Sequence, residues 1–404
     1  MNPSSWICCQ LGAREHYAVP RSLHQTGQLA ALITDAWVPP KSIFNALPNF
    51  LLRSLRDRFH PDLEASIVQG FTASLLQFEL RQKLQRTGEW DRMIARNHWF
   101  QQKAIAHLKR MAPQLSATGS RPVLFAYSYA ALDILKYARS QGWYTLLGQI
   151  DPGLIEEEIV IREHQKYPAL APSWQPVPPY YWETWKQECE IADRIVVNSA
   201  WSHQALQQAG IASDKISIIP LVYSPPEQAR SFQRTYPDRF SAERPLRVLF
   251  LGQVVLRKGI AALLEAADKL KGEPIEFWIV GRSEVTPPEP SSNIRWIGAI
   301  PRSTTADYYR QADVFLFPTL SDGFGLTQLE AQAWKLPLIV SKFCGEVVID
   351  NINGKVLPEV TGGAITAVLM EILEHPQELL ELAQNSAQSI MSDLSLQFSQ
   401  LSQF

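Results

Sequence analysis

Short apolar runs, each followed by a turn and then by a helical period, recur along most of this chain. Trp6 to Gln10 reads as a strand, Val19 to Thr26 as a helix, and Leu29 to Thr34 as a second strand, with the loop Leu11 to Tyr17 between the first two. From Lys41 to Arg110 the apolar spacing turns helical, at Leu51, Leu52, Leu55 and Phe59 and again at Leu75, Leu76, Phe78 and Leu80, which predicts a mostly helical insertion. Pro122 to Tyr127 and Tyr144 to Ile150 read as buried strands around the amphipathic stretch Ala130 to Ser140. Five prolines between Tyr167 and Tyr181 forbid a continuous helix and predict an ordered loop laid over a surface. Strand character returns at Ile195 to Val197.

After the polar stretch Ser224 to Arg244 a second alternation begins. Arg247 to Leu251, Ile275 to Val280, Ile294 to Ile297, Val314 to Phe317 and Pro337 to Val340 read as strands. Ile260 to Leu270, Thr304 to Gln311, Leu326 to Trp334 and Ala364 to Leu373 read as helices between or after them. The pattern predicts two doubly wound α/β domains. The expected division is 1–225 for the first, with its helical insertion at about 41–115, then a linker at 226–245, a second domain at 246–385 and a helical tail at 386–404.

Length supports that division, because 404 residues exceed what one hydrophobic core accommodates. With 46% apolar and 19% charged residues the composition is that of a globular enzyme. Thirty-eight basic against 40 acidic side chains give no global field to recruit nucleic acid, so no nucleic-acid partner is expected. Cys8, Cys9, Cys189 and Cys344 show no metal-binding spacing and read as reduced core thiols, so no metal is expected. No signal-like or membrane-spanning run is apparent, and the expected location is cytoplasmic.

In doubly wound sheets ligands gather outside the carboxyl ends of the strands, where helix N-termini offer unpaired N–H groups to anions. Two loops of the second domain fit. Gly252-Gln253-Val254-Val255-Leu256-Arg257-Lys258-Gly259 follows a strand and places adjacent cations, Arg257 and Lys258, where a diphosphate would sit; taken alone they also suit a solvated helix start. Asp322-Gly323-Phe324-Gly325-Leu326 leads into a helix carrying Glu330. Its glycines let backbone approach a ligand closely, and the two acids suit ribose or sugar hydroxyls, although Asp322 would also serve as a plain helix cap and Glu330 as a surface acid.

The run from Asp322 to Glu330 resembles the E-x7-E signature of family 4 retaining glycosyltransferases (glycosyl transferases group 1). The resemblance extends over Ala192 to Ser199, Lys215 to Pro220, Gly252 to Gly259, Gly345 to Val348 and Asn353-Gly354, in that order. It implies the GT-B fold, two Rossmann-like domains facing a cleft, and metal-independent transfer of a hexose from a UDP- or GDP-sugar with retention of configuration. By the resemblance Lys258 and Arg257 would hold the donor diphosphate and stabilise the charge of the leaving group. Glu330 would bind ribose, Asp322 and the backbone of Gly323, Phe324, Gly325 and Leu326 would hold donor sugar and phosphates, and Glu346 would add a polar contact. Gly252, Gln253 and Gly12 complete the expected donor site. The chain departs from the family pattern in two places: Asp322 stands where Glu is usual, and Gln253 stands where many members carry Arg.

In the first domain Asp151 follows a strand and is the candidate polar group toward the donor sugar or acceptor hydroxyl, or else closes a turn before Pro152. Arg14 and His16 on the first loop are the acceptor-side candidates; a partly buried structural histidine is the plain alternative for His16. The acceptor itself is expected to be a glycan, a lipid-linked sugar or a small metabolite. Lys41 to Arg110 holds twelve basic and six acidic residues and, with Phe44, Leu47, Phe50, Leu51 and Leu55, would suit either a peripheral patch on anionic lipid at the cytoplasmic face or ordinary packed helices. Trp174, Tyr180, Tyr181, Trp182 and Trp185 are either sugar-stacking rings or core. A catalytically silent nucleotide-sugar-binding or scaffold protein and a sugar-nucleotide epimerase of the same fold are the alternative functions.

Overall fold

The computed structural model describes residues 5–46, 55, 58–116, 121–286, 291–386 and 392–401. Two all-parallel sheets organise it. The first contains β1 (Trp6–Gln10), β2 (Leu29–Thr34), β3 (Val68–Gly70), β4 (Val123–Tyr127), β5 (Tyr144–Gly148), β6 (Arg194–Val197) and β7 (Ile216–Ile218), in the order β3-β2-β1-β4-β5-β6-β7. The second contains β8 (Leu246–Leu251), β9 (Ile275–Val280), β10 (Ile294–Gly298), β11 (Val314–Phe317), β12 (Leu338–Val340) and β13 (Gly354–Val356), in the order β10-β9-β8-β11-β12-β13. The α/β expectation and the two-Rossmann-like architecture are both present.

The continuous apolar runs form strands because each is buried on both faces. Along β1, Ile7 and Cys9 enter one core while Trp6 and Cys8 enter the core on the other face. Along β8, Val248 and Phe250 point to one side of the second sheet and Leu249 and Leu251 to the other. Each sheet reverses its winding beside its first strand, between β1 and β4 and between β8 and β11. These are the switch points where ligands bind in open parallel sheets.

Some segments differ from the expectation. The span read as a helical insertion contains the helices Thr72–Leu84 and Glu89–Ser116, and also β3, which extends the first sheet beyond β2. Three residues are too few to show an alternation. Leu55 is buried and Phe44 packs against it, so these two turn inward rather than toward a lipid surface; Leu47, Phe50 and Leu51 lie outside the described residues. The proline-rich segment is a loop up to Pro178, with the helix Pro179–Ile191 starting on Pro179, where a missing N–H costs nothing. That loop lies over the second domain: Tyr167, Leu170 and Ala171 pack on its core, and Thr286 N–H donates to the Leu170 carbonyl at 2.7 Å. The tail helix Ser392–Gln400 docks on the first domain, where Phe398 meets Trp6 and Phe125 edge to face at 5.9 and 5.5 Å. Cys8, Cys9, Cys189 and Cys344 are all buried and unbridged.

Candidate functional site

The loops after β1, β5, β8 and β11 converge on a cavity of about 360 Å³ between the two sheets. Gly252, Gln253, Arg257, Lys258, Asp322, Phe324, Gly325 and Leu326 line it from the second domain, and Arg14, Glu15 and Ile150 from the first. Most of the residues read from the sequence as a donor site therefore share one wall. Glu346 is exposed and does not line the cavity, and neither does His16, whose Nδ1 lies 2.7 Å from Arg302 Nη1.

The phosphate-loop candidate is held by its glycine. Gly259 adopts φ +74°, and a Cβ there would stand 1.9 Å from the Pro318 carbonyl oxygen, so only glycine lets this loop lie against the one after β11. Leu320 N–H donates to the Arg257 carbonyl at 2.8 Å and fastens the loops together. Lys258 comes off the short helical turn Leu256–Lys258, donates Nζ to Asp322 Oδ2, and sits 4.8 Å from the centre of the Phe317 ring. Burial pushes the ammonium well below the usual lysine range; the Arg257 cation adds to this and the Glu156 carboxylate opposes it. An anion entering the cavity would therefore gain a desolvated cation. Asp322 is this cation's partner and not a helix cap: the helix Leu326–Ala333 begins at Gly325 in a left-handed conformation with no side-chain cap among the described residues. Leu326 and Thr327, in its first turn, face the cavity.

Arg257 donates Nη1 to the Ser321 carbonyl at 2.7 Å and pairs through Nε with Glu156 Oε1 at 3.5 Å. Glu156 belongs to the first domain, on the helix Leu154–Lys166, and its other oxygen accepts from Ser321 Oγ at 2.8 Å. Ser321 Oγ also accepts from Trp201 Nε1 at 3.1 Å. Burial pushes the Glu156 carboxyl up to about 7, with the Arg257 cation pulling the other way. Glu156 was not singled out in the sequence because it is one of three consecutive glutamates, and helical phase alone does not say which faces the partner domain. Gly323 closes the junction: a Cβ there would lie 2.1 Å from the Ile150 carbonyl oxygen of the first domain.

Glu330 lies beyond the cavity lining and is half-buried. It accepts from Tyr309 Oη at 2.9 Å and meets Arg302 Nη2 at 3.5 Å; burial raises its pKa while the Tyr309 hydroxyl and Arg302 oppose that. Neither Tyr309 nor Arg302 carries a sequence signal, since each joins Glu330 from a separate element.

A second cavity of about 380 Å³ adjoins the first and shares Arg14 and Ile150 with it. Gly12, Asp151, Tyr129 and Tyr181 are in its wall. Asp151 accepts from Tyr129 Oη at 2.5 Å, Gln149 Nε2 at 2.9 Å and Gly153 N–H at 2.9 Å, so it both closes a turn and faces a cavity. Tyr181 stacks on Tyr129 at 4.9 Å. The other aromatic candidates separate: Trp185 is core, Trp174 stacks on His164 at 4.0 Å, and Tyr180 is exposed. Glu15, His16 and Tyr17 all adopt positive φ, a strained run that turns the loop after β1 past both cavities.

Two parallel sheets facing a cleft, with candidate ligand groups on the loops at their switch points, define a protein of GT-B architecture. Solved structures agree on the fold: the chain overlays Anabaena HepE in complex with UDP and glucose (TM-score 0.61, 12% identical, 98% of this chain and 99% of that one). It also overlays sucrose-phosphate synthase of Thermosynechococcus elongatus (TM-score 0.63, 17% identical, 98% of each chain). Residues 233–389 match the family described as glycosyl transferases group 1. Among curated relatives, an amylovoran biosynthesis glycosyltransferase of Erwinia amylovora is 24% identical over 196 residues, which is 44% of this chain and 46% of the relative. A D-inositol 3-phosphate glycosyltransferase of Xylanimonas cellulosilytica is 27% identical over 257 residues, 54% of this chain and 60% of the relative. The chain spans about half the length of the curated relatives it matches.

Proposed function

We propose that this protein is a glycosyltransferase that moves a hexose from a nucleotide-sugar, with retention and without a metal, to a carbohydrate or lipid-linked acceptor. The observation that carries the reading is Lys258 and Arg257 on one wall of an interdomain cavity, each tied to a carboxylate that an incoming diphosphate can replace. UDP is the nucleotide proposed first, because solved proteins of this fold hold UDP and UDP-glucose.

In the proposed reaction the donor diphosphate takes Lys258 from Asp322 and Arg257 from Glu156. As the bond from the anomeric carbon to the phosphate oxygen breaks, its electron pair goes to that oxygen, where the two cations and the first-turn N–H groups of Leu326 and Thr327 stabilise it. The acceptor hydroxyl forms the new bond on the same face of the sugar, and its proton passes to the departing phosphate. Asp322, freed from Lys258, is placed to accept from a sugar hydroxyl, and Glu330 to bind ribose. The protein then contributes charge and position rather than a nucleophile.

Titration of the purified chain with UDP, GDP and ADP in EDTA, followed by melting temperature, tests this. A ligand at 100 times its dissociation constant adds about 2.7 kcal/mol of stability. UDP should raise the melting point of the wild type, and the rise should vanish in Lys258→Ala and Glu330→Ala. If no nucleotide shifts the wild type, the reading fails.

A further inference from the structure

The second cavity carries a feature that donor binding leaves unused. Three guanidinium groups line it from three parts of the chain: Arg14 from the loop after β1, Arg58 from the segment before β3, and Arg96 from the helix Glu89–Ser116. The carboxylate that gathers two of them stays out of the cavity. Asp35 is wholly buried and accepts from Arg58 Nη1 at 3.3 Å, Arg96 Nη2 at 2.6 Å and the N–H groups of Gly12 and Ala36. The carboxylate that does face it, Asp151, is occupied by Tyr129, Gln149 and Gly153. Arg14 makes no ion pair among the described residues, and its Nε is buried without a hydrogen-bond partner. Ser128, 2% exposed and also in the wall, has an unpartnered hydroxyl. Buried donors without acceptors are costly, and a forked cationic donor set matches the geometry of phosphate oxygens.

We propose that this cavity binds a phosphate group carried by the acceptor, with Arg14, Arg58 and Arg96 as its cationic cradle and Ser128 as a neutral donor. The inference rests on the transferase reading and specifies its acceptor: a phosphorylated sugar or polyol, or the phosphate headgroup of a lipid. Arg14 lines both cavities, so a phosphate seated there holds the rest of the acceptor at the opening to the donor site. The aromatic wall of Tyr129 and Tyr181 is then available to the acceptor's ring.

The test uses the full chain saturated with UDP, which blocks the donor diphosphate site. Glucose 6-phosphate and inositol phosphate are titrated by calorimetry against glucose and inositol. Vesicles of phosphatidylcholine with and without phosphatidylinositol form the lipid arm. The phosphorylated probe should bind at least tenfold more tightly than its neutral counterpart, or the phosphatidylinositol vesicles should capture the protein while neutral ones do not. Either preference should fall at least tenfold in Arg14→Gln and in Arg96→Gln. Arg96 lies outside the donor cavity, so Arg96→Gln should keep wild-type affinity for UDP, which also shows that it is folded. Equal binding of phosphorylated and neutral probes, or a preference that both variants retain, overturns the proposal while leaving the transferase reading intact. Failure of the wild type to bind UDP at all overturns the transferase reading instead.

Discussion

Replacing Gly323 with alanine tests whether the proposed chemistry depends on the fit between the two domains. The added Cβ would stand 2.1 Å from the Ile150 carbonyl oxygen, where ordinary contact begins at 3.4 Å, so the junction must open by about 1.3 Å. Neither side gives way easily, since both contacts are backbone. Ile150 and Asp151 line the second cavity, proposed for the acceptor, and Gly323 is flanked by Asp322 and Phe324 of the first, proposed for the donor, so on that proposal the opening displaces one substrate against the other. A misplacement of about 1 Å costs on the order of 100-fold in rate, or about 2.7 kcal/mol of activation free energy. Overpacking costs a further 1–3 kcal/mol or so of stability. The assay is UDP release from UDP-glucose with glucose 6-phosphate as acceptor, together with UDP affinity by calorimetry. Gly323→Ala should lose about 100-fold in kcat/KM while UDP affinity, proposed to rest mainly on the second domain, changes only a few fold. Ser202→Ala removes the 3.3 Å bond from Ser202 Oγ to the Gly323 carbonyl and the 3.1 Å bond that Ser202 Oγ accepts from Ser199 Oγ, adds no atom to the junction, and serves as the control. A folded Gly323→Ala protein with kcat/KM within twofold of wild type would refute the argument.

Burial raises the Glu156 pKa from 4.5 to about 7, so the folded state favours the protonated form; this group's contribution to stability is complete below pH 4.5 and is lost as pH rises through 7. Glu156→Gln should therefore become more stable relative to wild type between pH 5 and 8, by at most about 3 kcal/mol, as read from denaturant melts; a constant difference across that range would count against the assignment. Because Lys258 is depressed and a bound diphosphate favours its ammonium form, UDP affinity should weaken as pH rises, and calorimetry in buffers of different ionisation heat should register proton uptake on binding; zero uptake across alkaline pH contradicts this. Gly259→Ala forces a Cβ to 1.9 Å from the Pro318 carbonyl oxygen at positive φ, so UDP binding should fall at least tenfold, and unchanged affinity would show that the two loops do not act as a unit. Phe398→Ala removes a buried ring set against Trp6 and Phe125 and should cost about 3–5 kcal/mol of unfolding free energy with UDP affinity unaltered; a loss below 1 kcal/mol would mean that the tail helix is not docked in solution.

The sequence by itself determined most of the strands, because runs such as Val123–Tyr127 and Val314–Phe317 are apolar on both faces and can be satisfied only inside a parallel sheet. It also marked one wall of the first cavity, since Gly252 to Lys258 and Asp322 to Leu326 are contiguous segments whose spacing survives folding. It did not show β3, β7 or β13, each of three residues that carry no period, nor that the tail helix crosses back to the first domain. Tertiary structure alone decided which carboxylate meets which cation. Glu156 and Arg257 are a hundred residues apart in the chain and meet only because two sheets face one another. The same holds for the arginine cavity: Arg14, Arg58 and Arg96 look unrelated along the sequence, and they converge because Asp35, buried at the end of β2, has room and charge for two of them while the loop after β1 delivers the third. Local patterns are fixed by short-range sterics and burial, whereas these clusters depend on long-range packing that no window of sequence contains.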